Sequence, residues 1–488
     1  MMKGNRNGQD YYRLYIDGQW VEASSDRLIE VQNPANEEVI GRVSDASAED
    51  VQKALESSER AQQAWQALPA VKRASYLVKL VEKVKEKREF LAKLLVMEQG
   101  KTYREALGEV EDTMAYMMFA VESANKIKGD ILPSNKEGEM LQIRKVPYGV
   151  TIGLCAWNYP LALIGRKLGP ALVTGNTMII KPHELTPIAS AEFFNLIHEA
   201  GFPPGVANFV TGTGAEVGQL LVSSPITKMV TVTGSVRAGQ QIYKAASDNI
   251  TALSLELGGK APFIVLEDAD IDQAAAAAVS ARFANCGQVC VCNELVLVHE
   301  MVAEAFTAKL LEHMKAIKVG DPFDSTVTMG PKANGNDLQK IDDIVQETVA
   351  QGAKVAFGGK RPSGGIFDKG YWYEPTVLVD VKPDMAAAQK EIFGPVLPIV
   401  KIKSFEEAIK IVNASELGLA AYLFTSDIKK MMHGTDVIQA GTVFVNQGMS
   451  GCMQAYHSGH KLSGLGGEDG EYGLEGYMQK RTVFINYK

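Results

Sequence analysis

Three thiols stand at i, i+4 and i+6 in Asn285-Cys286-Gly287-Gln288-Val289-Cys290-Val291-Cys292, beside a single glycine. A thiol serves catalysis because its thiolate is a strong nucleophile near neutral pH, given help against a free pKa of about 8.5. Cys290 reads as that nucleophile. Gly287 would let the backbone approach a reacting group closely, so that amide N–H groups point at the charge developing there. The same stretch also reads as three buried small hydrophobes, or as a Cys-x3-Cys-x-Cys metal site, and by itself it leaves these readings open.

Other residues upstream could share the work. Glu256, in Glu256-Leu257-Gly258-Gly259-Lys260, is a carboxyl flanked by apolar residues and glycines at a domain junction. It is a candidate general base, against the alternative of a solvated loop carboxylate. In Trp157-Asn158-Tyr159-Pro160 a strand gives way to a helix, and Asn158 either caps that helix or donates its amide to an oxyanion. Gly212-Thr213-Gly214-Ala215-Glu216-Val217-Gly218 follows a strand and opens a helix, the setting in which glycines bring a dinucleotide's phosphates against amide N–H groups. Its spacing departs from the usual fingerprint, so a plain tight turn is the alternative. Gly234-Ser235 repeats the logic one strand later, with Ser235 at a helix N-cap able to meet a phosphate. In Lys181-Pro182-His183-Glu184, the Glu184 carboxylate could accept from both hydroxyls of an adenosine ribose and would repel a 2′-phosphate, favouring NAD over NADP.

The elements that must position these groups follow from composition and periodicity. With 488 residues, 46% hydrophobic and 22% charged, the chain has the profile of a soluble globular protein of two to four domains. A net charge of −8 without long charged blocks argues against an extended nucleic-acid surface. Five cysteines, an odd and sparse count, point to reduced thiols in a cytoplasmic protein. The N-terminus lacks the apolar core of a signal peptide, and no apolar run approaches the roughly 18 residues of a membrane span, so no membrane partner is expected.

Residues 12–40 read as short strands and turns. From Ser47 to about Lys128 the spacing predicts two or three long amphipathic helices, broken near Pro69 and Gly100. Gly129 to Tyr148 is an extended, hairpin-like excursion. From Val150 strands and helices alternate as in a doubly wound α/β sheet, and a second series from about Pro262 to Asn446 carries Cys290. The terminal strand from Thr482 to Lys488 needs a partner, either the Gly129–Tyr148 excursion or another subunit.

Together these stretches resemble the aldehyde dehydrogenase superfamily over nearly the whole chain. The resemblance implies an α/β architecture: a Rossmann-like NAD-binding domain (1–128 and 149–257), a second α/β catalytic domain (258–470) and a small β oligomerisation arm (129–148 and 471–488). It implies a homo-oligomer, dimer or tetramer, with NAD as cofactor and no metal. It matches Cys290 to the nucleophile, Glu256 to the general base and Asn158 to the oxyanion hole. Lys181 and Glu184 match the adenosine-ribose contacts, with Lys181 counted in the catalytic group as well, and Ser235 matches a pyrophosphate contact. Gly214, Gly218, Gly234 and Leu257 would complete the dinucleotide site. Glu391-Ile392-Phe393-Gly394-Pro395 matches the segment that holds the nicotinamide ribose, through Glu391 and Phe393. The implied reaction has Cys290 add to an aldehyde, Asn158 and a backbone N–H hold the oxyanion, hydride leave for the nicotinamide, and Glu256 activate the water that releases a free acid.

Departures from the family pattern speak about substrate. Arg166, in the helix after Asn158, resembles the branches acting on succinic semialdehyde and on lactaldehyde, where it would form a fork with a carboxylate, a sulfonate or a hydroxyl. His457 replaces a Phe that lines the aldehyde tunnel, and with Met453-Gln454 resembles the lactaldehyde/glycolaldehyde dehydrogenase branch. Tyr159 is expected to pack against the substrate's carbon chain. The expected small-molecule substrate is a small polar hydroxyaldehyde; the alternative is an anionic-tailed aldehyde such as succinic semialdehyde, sulfolactaldehyde or sulfoacetaldehyde.

Overall fold

Short apolar strands, most of them followed by a helix, build the first sheet of the computed structural model, which describes residues 1–6 and 8–488. Val150–Leu154, Thr177–Lys181 and Ala207–Phe209 pair parallel in that order, while Met229–Thr233 and Ala252–Glu256 pair parallel on the other side of Val150–Leu154. Strand placement therefore reverses at Val150–Leu154, and sheets of this kind leave a crevice beyond the carboxyl ends of the strands at such a point. Every residue of Thr177–Lys181 is buried, as a sheet covered by helices on both faces requires.

Four helices, rather than two or three, fill the stretch after Ser47: Ala48–Ala67, Ala70–Glu86, Arg88–Gln99 and Tyr103–Ser123. Pro69 and Gly100 mark two of the breaks. The third falls at Lys87, where φ −104 and ψ 10 kink the chain while its N–H still bonds back to Lys83, so no breaking residue announces it. Gly100 at φ 91 ends its helix in the left-handed region, and Thr102 with Glu105 closes the capping box of the next.

In the second sheet Thr376–Val379, Val396–Ile402, Asn293–His299, Ala261–Val265, Ala420–Phe424 and Thr442–Val445 run parallel in that order, with Lys354–Phe357 antiparallel at one edge. Cys290 precedes Asn293–His299 and so lies at the amino edge of this sheet. Glu256 ends a strand of the first sheet and Asn158 lies just beyond another, so the carboxyl edge of one sheet is brought to the amino edge of the other.

The terminal strand Met478–Asn486 pairs antiparallel with Glu139–Pro147, which pairs in turn with Asp130–Pro133. Its partner is thus the excursion of the same chain. Residues 464–469, expected in the second α/β unit, return instead to the first: Gly464–Leu465 pairs antiparallel with Leu255 and Glu256. The return delivers Glu468 to Lys167 and Asp469 to Arg166. Among the described residues no helix is long and apolar enough to cross a membrane.

Candidate active site

After the helix Ile271–Phe283 the chain turns through Asn285 (φ 47), Cys286 (φ 56) and Gly287 (φ 70), three successive left-handed residues of which only the last adopts that region freely. Side chains hold the turn in place. The Glu105 carboxylate accepts from Asn285 N–H at 2.7 Å, Asn285 Nδ2 donates to the Asn158 carbonyl at 3.1 Å, and Gln288 Nε2 donates to the Asn285 carbonyl at 2.9 Å. A Cβ on Gly287 would collide with the backbone of Gly394 and Pro395. The close approach this glycine permits is therefore to the Glu391–Pro395 loop, a correction to the expectation that it faces a reacting group.

Asn158 does not cap its helix; Tyr159 holds the N-cap position of Pro160–Thr174 and makes no side-chain cap bond. Instead Asn158 Nδ2 donates to the Gln288 carbonyl at 3.0 Å, which leaves its second amide hydrogen for an oxyanion beside Cys290. A buried pair fixes its backbone. Lys101 and Glu109, both fully buried, are joined at 2.5 Å; Lys101 Nζ also donates to the Asn158 carbonyl at 2.9 Å and lies 3.8 Å from the centre of the Tyr159 ring. Glu109 accepts from Leu161 N–H at 2.8 Å, at the first turn of the following helix. Neither Lys101 nor Glu109 stood out in the sequence, where the only trace was charge at a helix break and on a helix face that turns out to be buried.

Cys290 is half-buried, and burial pushes its thiol up to about 12, with Glu256 adding and Arg166 opposing. Arg282 Nη1 lies 3.1 Å from Cys292 Sγ, and Cys286 is buried in the apolar core. Among the described residues no group of three or more His, Cys, Asp or Glu is placed to hold a metal.

Glu256 is 3% exposed, and neither carboxyl oxygen has a hydrogen-bond partner among the described residues. Burial raises its pKa well above the usual carboxylate range; Glu468 adds to this while Arg166 and Lys167 oppose it. His457 Nε2 lies 3.3 Å from Glu256 Oε2, close but not aligned as a formed hydrogen bond. Burial, with Arg166, holds His457 down to about 3, so its imidazole is neutral.

Arg166 differs from expectation. Its Nε donates to Asp469 Oδ1 at 2.8 Å and its Nη2 to Asp469 Oδ2, with Glu468 Oε2 3.3 Å from Nε. Burial works against the charged guanidinium, but Asp469 and Glu468 keep it charged. The fork expected for a substrate is occupied by a carboxylate 303 residues away in sequence. Lys167 pairs with Glu468 at 2.5 Å, which helps hold Glu468 down to about 2 despite its burial.

Toward the first sheet, Ser235 Oγ accepts from Ala238 N–H at 3.2 Å and caps the helix Val236–Ala246. Gly214–Gly218 forms a π-helical turn capped by Thr213, where an α-helix start was expected; Gln219–Ser223 continues as α-helix. A Cβ on Gly214 would meet no atom within 4 Å, and one on Gly234 only side chains at 3.8 Å, so both glycine turns are open. Lys181 is buried, 3.6 Å from Glu184, and donates to the Pro182 carbonyl at 2.8 Å. Glu184 is partly exposed; burial works against its charge, but His183 and Lys181 hold it below the usual range. A Cβ on Gly239 would strike the Leu257 side chain at 2.5 Å, so Leu257 packs tightly under that helix.

The Glu391 loop has a brace the sequence did not reveal. Glu294, held down to about 2 by Arg282 and Lys260 against burial, accepts from the N–H groups of Ile392 and Phe393, both at 2.8 Å. Phe393 is itself left-handed at φ 53, and its carbonyl accepts from the buried Lys332 Nζ at 2.5 Å. Glu391 Oε1 accepts from Gly259 N–H at 2.9 Å.

The family model described as the aldehyde dehydrogenase family matches residues 20–483. A 3,6-anhydro-alpha-L-galactose dehydrogenase of Vibrio sp. (strain EJY3) is 46% identical, across 98% of this chain and 99% of that protein. A lactaldehyde dehydrogenase of Escherichia coli is 42% identical, across 97% of this chain and 98% of that protein. A solved structure described as 3,6-anhydro-L-galactose dehydrogenase in complex with NAP superposes with a TM-score of 0.96 at 46% identity, covering 98% of this chain and 100% of that one.

Proposed function

The chain belongs to the aldehyde dehydrogenase family, and on that footing we propose that it oxidises a small, uncharged, hydroxylated aldehyde to the free carboxylic acid, with NAD as hydride acceptor. The observation that carries the substrate class is the fork between Arg166 and Asp469. Arg166 and Lys167 are matched by Glu468 and Asp469, so this corner has no unbalanced positive charge to offset an anionic tail. Nη1 of Arg166, with its two hydrogens, has no acceptor among the described residues and is suited to a neutral oxygen. The two relatives named for lactaldehyde and for 3,6-anhydro-galactose carry substrates of that neutral, hydroxylated kind. Succinic semialdehyde and the sulfonated aldehydes, the alternative from sequence, would need the fork that Asp469 occupies.

The open glycine turns at Gly214 and Gly234, the hydroxyl caps Thr213 and Ser235, and the ionised Glu184 fit a dinucleotide without a 2′-phosphate. Ser235 and the glycine turns would face its phosphates, Glu184 with Lys181 its adenosine ribose, Leu257 the helix beside it, and Glu391 with Phe393 its second ribose. When bound, such a cofactor takes up the hydride that leaves the substrate carbon. Cys290 supplies the sulfur that bonds to that carbon, and Asn158 Nδ2 donates to the oxyanion formed there. Glu256 activates the water that splits the thioester, Tyr159 walls the carbon chain, and Arg166 Nη1 with His457 borders its polar end. Among the described residues the strand Met478–Asn486 keeps one edge without a strand partner, which supports assembly with a second copy.

The test is NADH formation with glycolaldehyde, lactaldehyde, succinic semialdehyde and propanal, in wild type and in Asp469→Leu. Wild type should prefer the hydroxyaldehydes, and freeing the guanidinium should narrow their lead over succinic semialdehyde by about 10-fold or more, since a hydrogen bond to a charged group contributes about 1.5–3 kcal/mol. A wild type that favours succinic semialdehyde would overturn the substrate class.

A further inference from the structure

We infer that Lys332 is a positioning residue for the nicotinamide end of the cofactor: its ammonium clamps Phe393 and Trp157 together, and with them the loop that carries Glu391. This rests on the reading of Glu391 and Phe393 as the hold on the second ribose. Lys332 is fully buried, and among the described residues it has no carboxylate in ion-pair contact. The other buried lysines, Lys101, Lys167, Lys181 and Lys260, each face one. A buried ammonium without a counter-charge is costly, so what it does touch is informative. Nζ donates to the Phe393 carbonyl at 2.5 Å and lies 5.4 Å from the centre of the Trp157 ring and 5.6 Å from that of Phe393. Those two rings meet edge-on, their centres 5.6 Å apart. A cation is attracted to ring faces and to a carbonyl oxygen alike, so one ammonium holds all three.

The clamp closes on a conformation that Phe393 does not favour. Its φ of 53 lies in the left-handed region, which a bulky side chain adopts only when its surroundings impose it. Glu294 holds the residue from its N–H side at 2.8 Å and Lys332 from its carbonyl side. Lys332 is itself fixed through the backbone: its N–H donates to the Tyr371 carbonyl at 2.8 Å, and the N–H of Ala333 donates to Gln288 Oε1 at 3.0 Å. The Gln288 carbonyl accepts from Asn158, and Trp157 precedes Asn158 in sequence, so the clamp joins the cofactor loop to the Asn158 wall. The charged and titratable groups around Nζ are Asp337 and Lys340 from the helix Gly335–Ala350, Cys286 from the catalytic turn and Arg282 from the helix Ile271–Phe283, with Glu294 across Phe393. Burial pulls the ammonium down to about 8, although Asp337 and Cys286 support it. The clamp is therefore whole near neutral pH and is lost as the pH rises past that value.

The test is isothermal titration of NAD, and of ADP, which lacks the nicotinamide and its ribose, into wild type, Lys332→Met and Lys332→Gln. Lys332→Met should weaken NAD by about 10-fold or more, the contribution of a hydrogen bond to a charged group, and leave ADP unchanged. Lys332→Gln keeps a donor without the charge and should fall between the two. In wild type, NAD affinity should hold below about pH 8 and fall above it while ADP affinity stays level; both variants should lose that fall. The KM for NAD should rise in the variants, with the KM for glycolaldehyde unchanged. Equal weakening of NAD and ADP would show a general structural role and overturn the inference, and so would NAD binding indifferent to the substitution or to the pH. Glu391→Gln is measured beside them. If it weakens NAD selectively while the Lys332 variants do not, the clamp alone fails; if it leaves NAD unchanged, the reading of that loop has failed and the clamp with it. Should Lys332→Met be insoluble, Lys332→Gln and the wild-type pH dependence decide.

Discussion

The two walls that meet at Cys290 treat burial in opposite ways. On the side of Asn158, buried charge is matched: Lys101 is joined to Glu109, Glu105 holds Asn285 N–H, and Asn158, Asn285 and Gln288 bond to one another's carbonyls. On the side of Glu256, a 3%-exposed carboxyl has no hydrogen-bond partner among the described residues and a neutral imidazole as its neighbour. The contrast fits the role proposed for each wall. An oxyanion is stabilised by dipoles that are already in place and do not reorganise, whereas a base must exist in two protonation states and exchange a proton with water. Completed ion pairs serve the first need, and desolvation left partly unopposed serves the second.

The largest effect expected is from Cys290→Ala, which removes the sulfur both walls serve. NADH formation should fall to background with every aldehyde of the panel, and measurable turnover would show that the walls converge on some other group. Next is Glu256→Gln. The steady rate after the NADH burst should drop by about 10²–10⁴-fold while the burst remains. Because the Glu256 pKa is raised, its base form appears only as pH rises, so the wild-type deacylation rate should climb with pH and the variant should lose that limb. A burst and a steady rate depressed equally would place Glu256 earlier in the reaction.

Stability separates the walls as well. Lys101→Met leaves the buried Glu109 carboxyl without its partner and should cost about 3–5 kcal/mol in urea unfolding. Glu256→Gln, measured the same way, should be near neutral or stabilising, because the carboxyl it replaces is unpartnered. Equal losses from the two would mean that the walls are not built differently. The smallest effect lies outside both: Glu184→Ser should narrow the preference for NAD over NADP, read as the ratio of kcat/KM values, by about 10-fold, since it removes one like charge facing a 2′-phosphate. Comparable use of both cofactors by wild type would remove the basis for that assignment.

Much of the framework was legible in the residues. Apolar strands alternating with helices fixed the positions of Val150–Leu154, Met229–Thr233 and their neighbours to within a residue or two, because strand and helix periodicities are local properties of side chains. Breaks at Pro69 and Gly100 were visible for the same reason, whereas the kink at Lys87 was not, since no residue type there forces it. The π-helical turn at Gly214–Gly218 and the left-handed Asn285 and Cys286 were also invisible, being imposed by tertiary contacts on residues that do not favour them.

The chemical identity of the groups was determined by the sequence by itself: a thiol at Cys290, a carboxyl at Glu256 closing a strand, an amide at Asn158 opening a helix. Their states were decided only by the tertiary structure. Arg166 read as a free guanidinium until Asp469 was found in its fork, and Glu256 and His457 read as independent groups until the fold put them 3.3 Å apart. The reason is physical. Which groups a chain carries, and where its strands and helices fall, depends on neighbours a few residues away. Charge, protonation and hydrogen-bond satisfaction instead depend on burial and on partners that come from hundreds of residues along the chain.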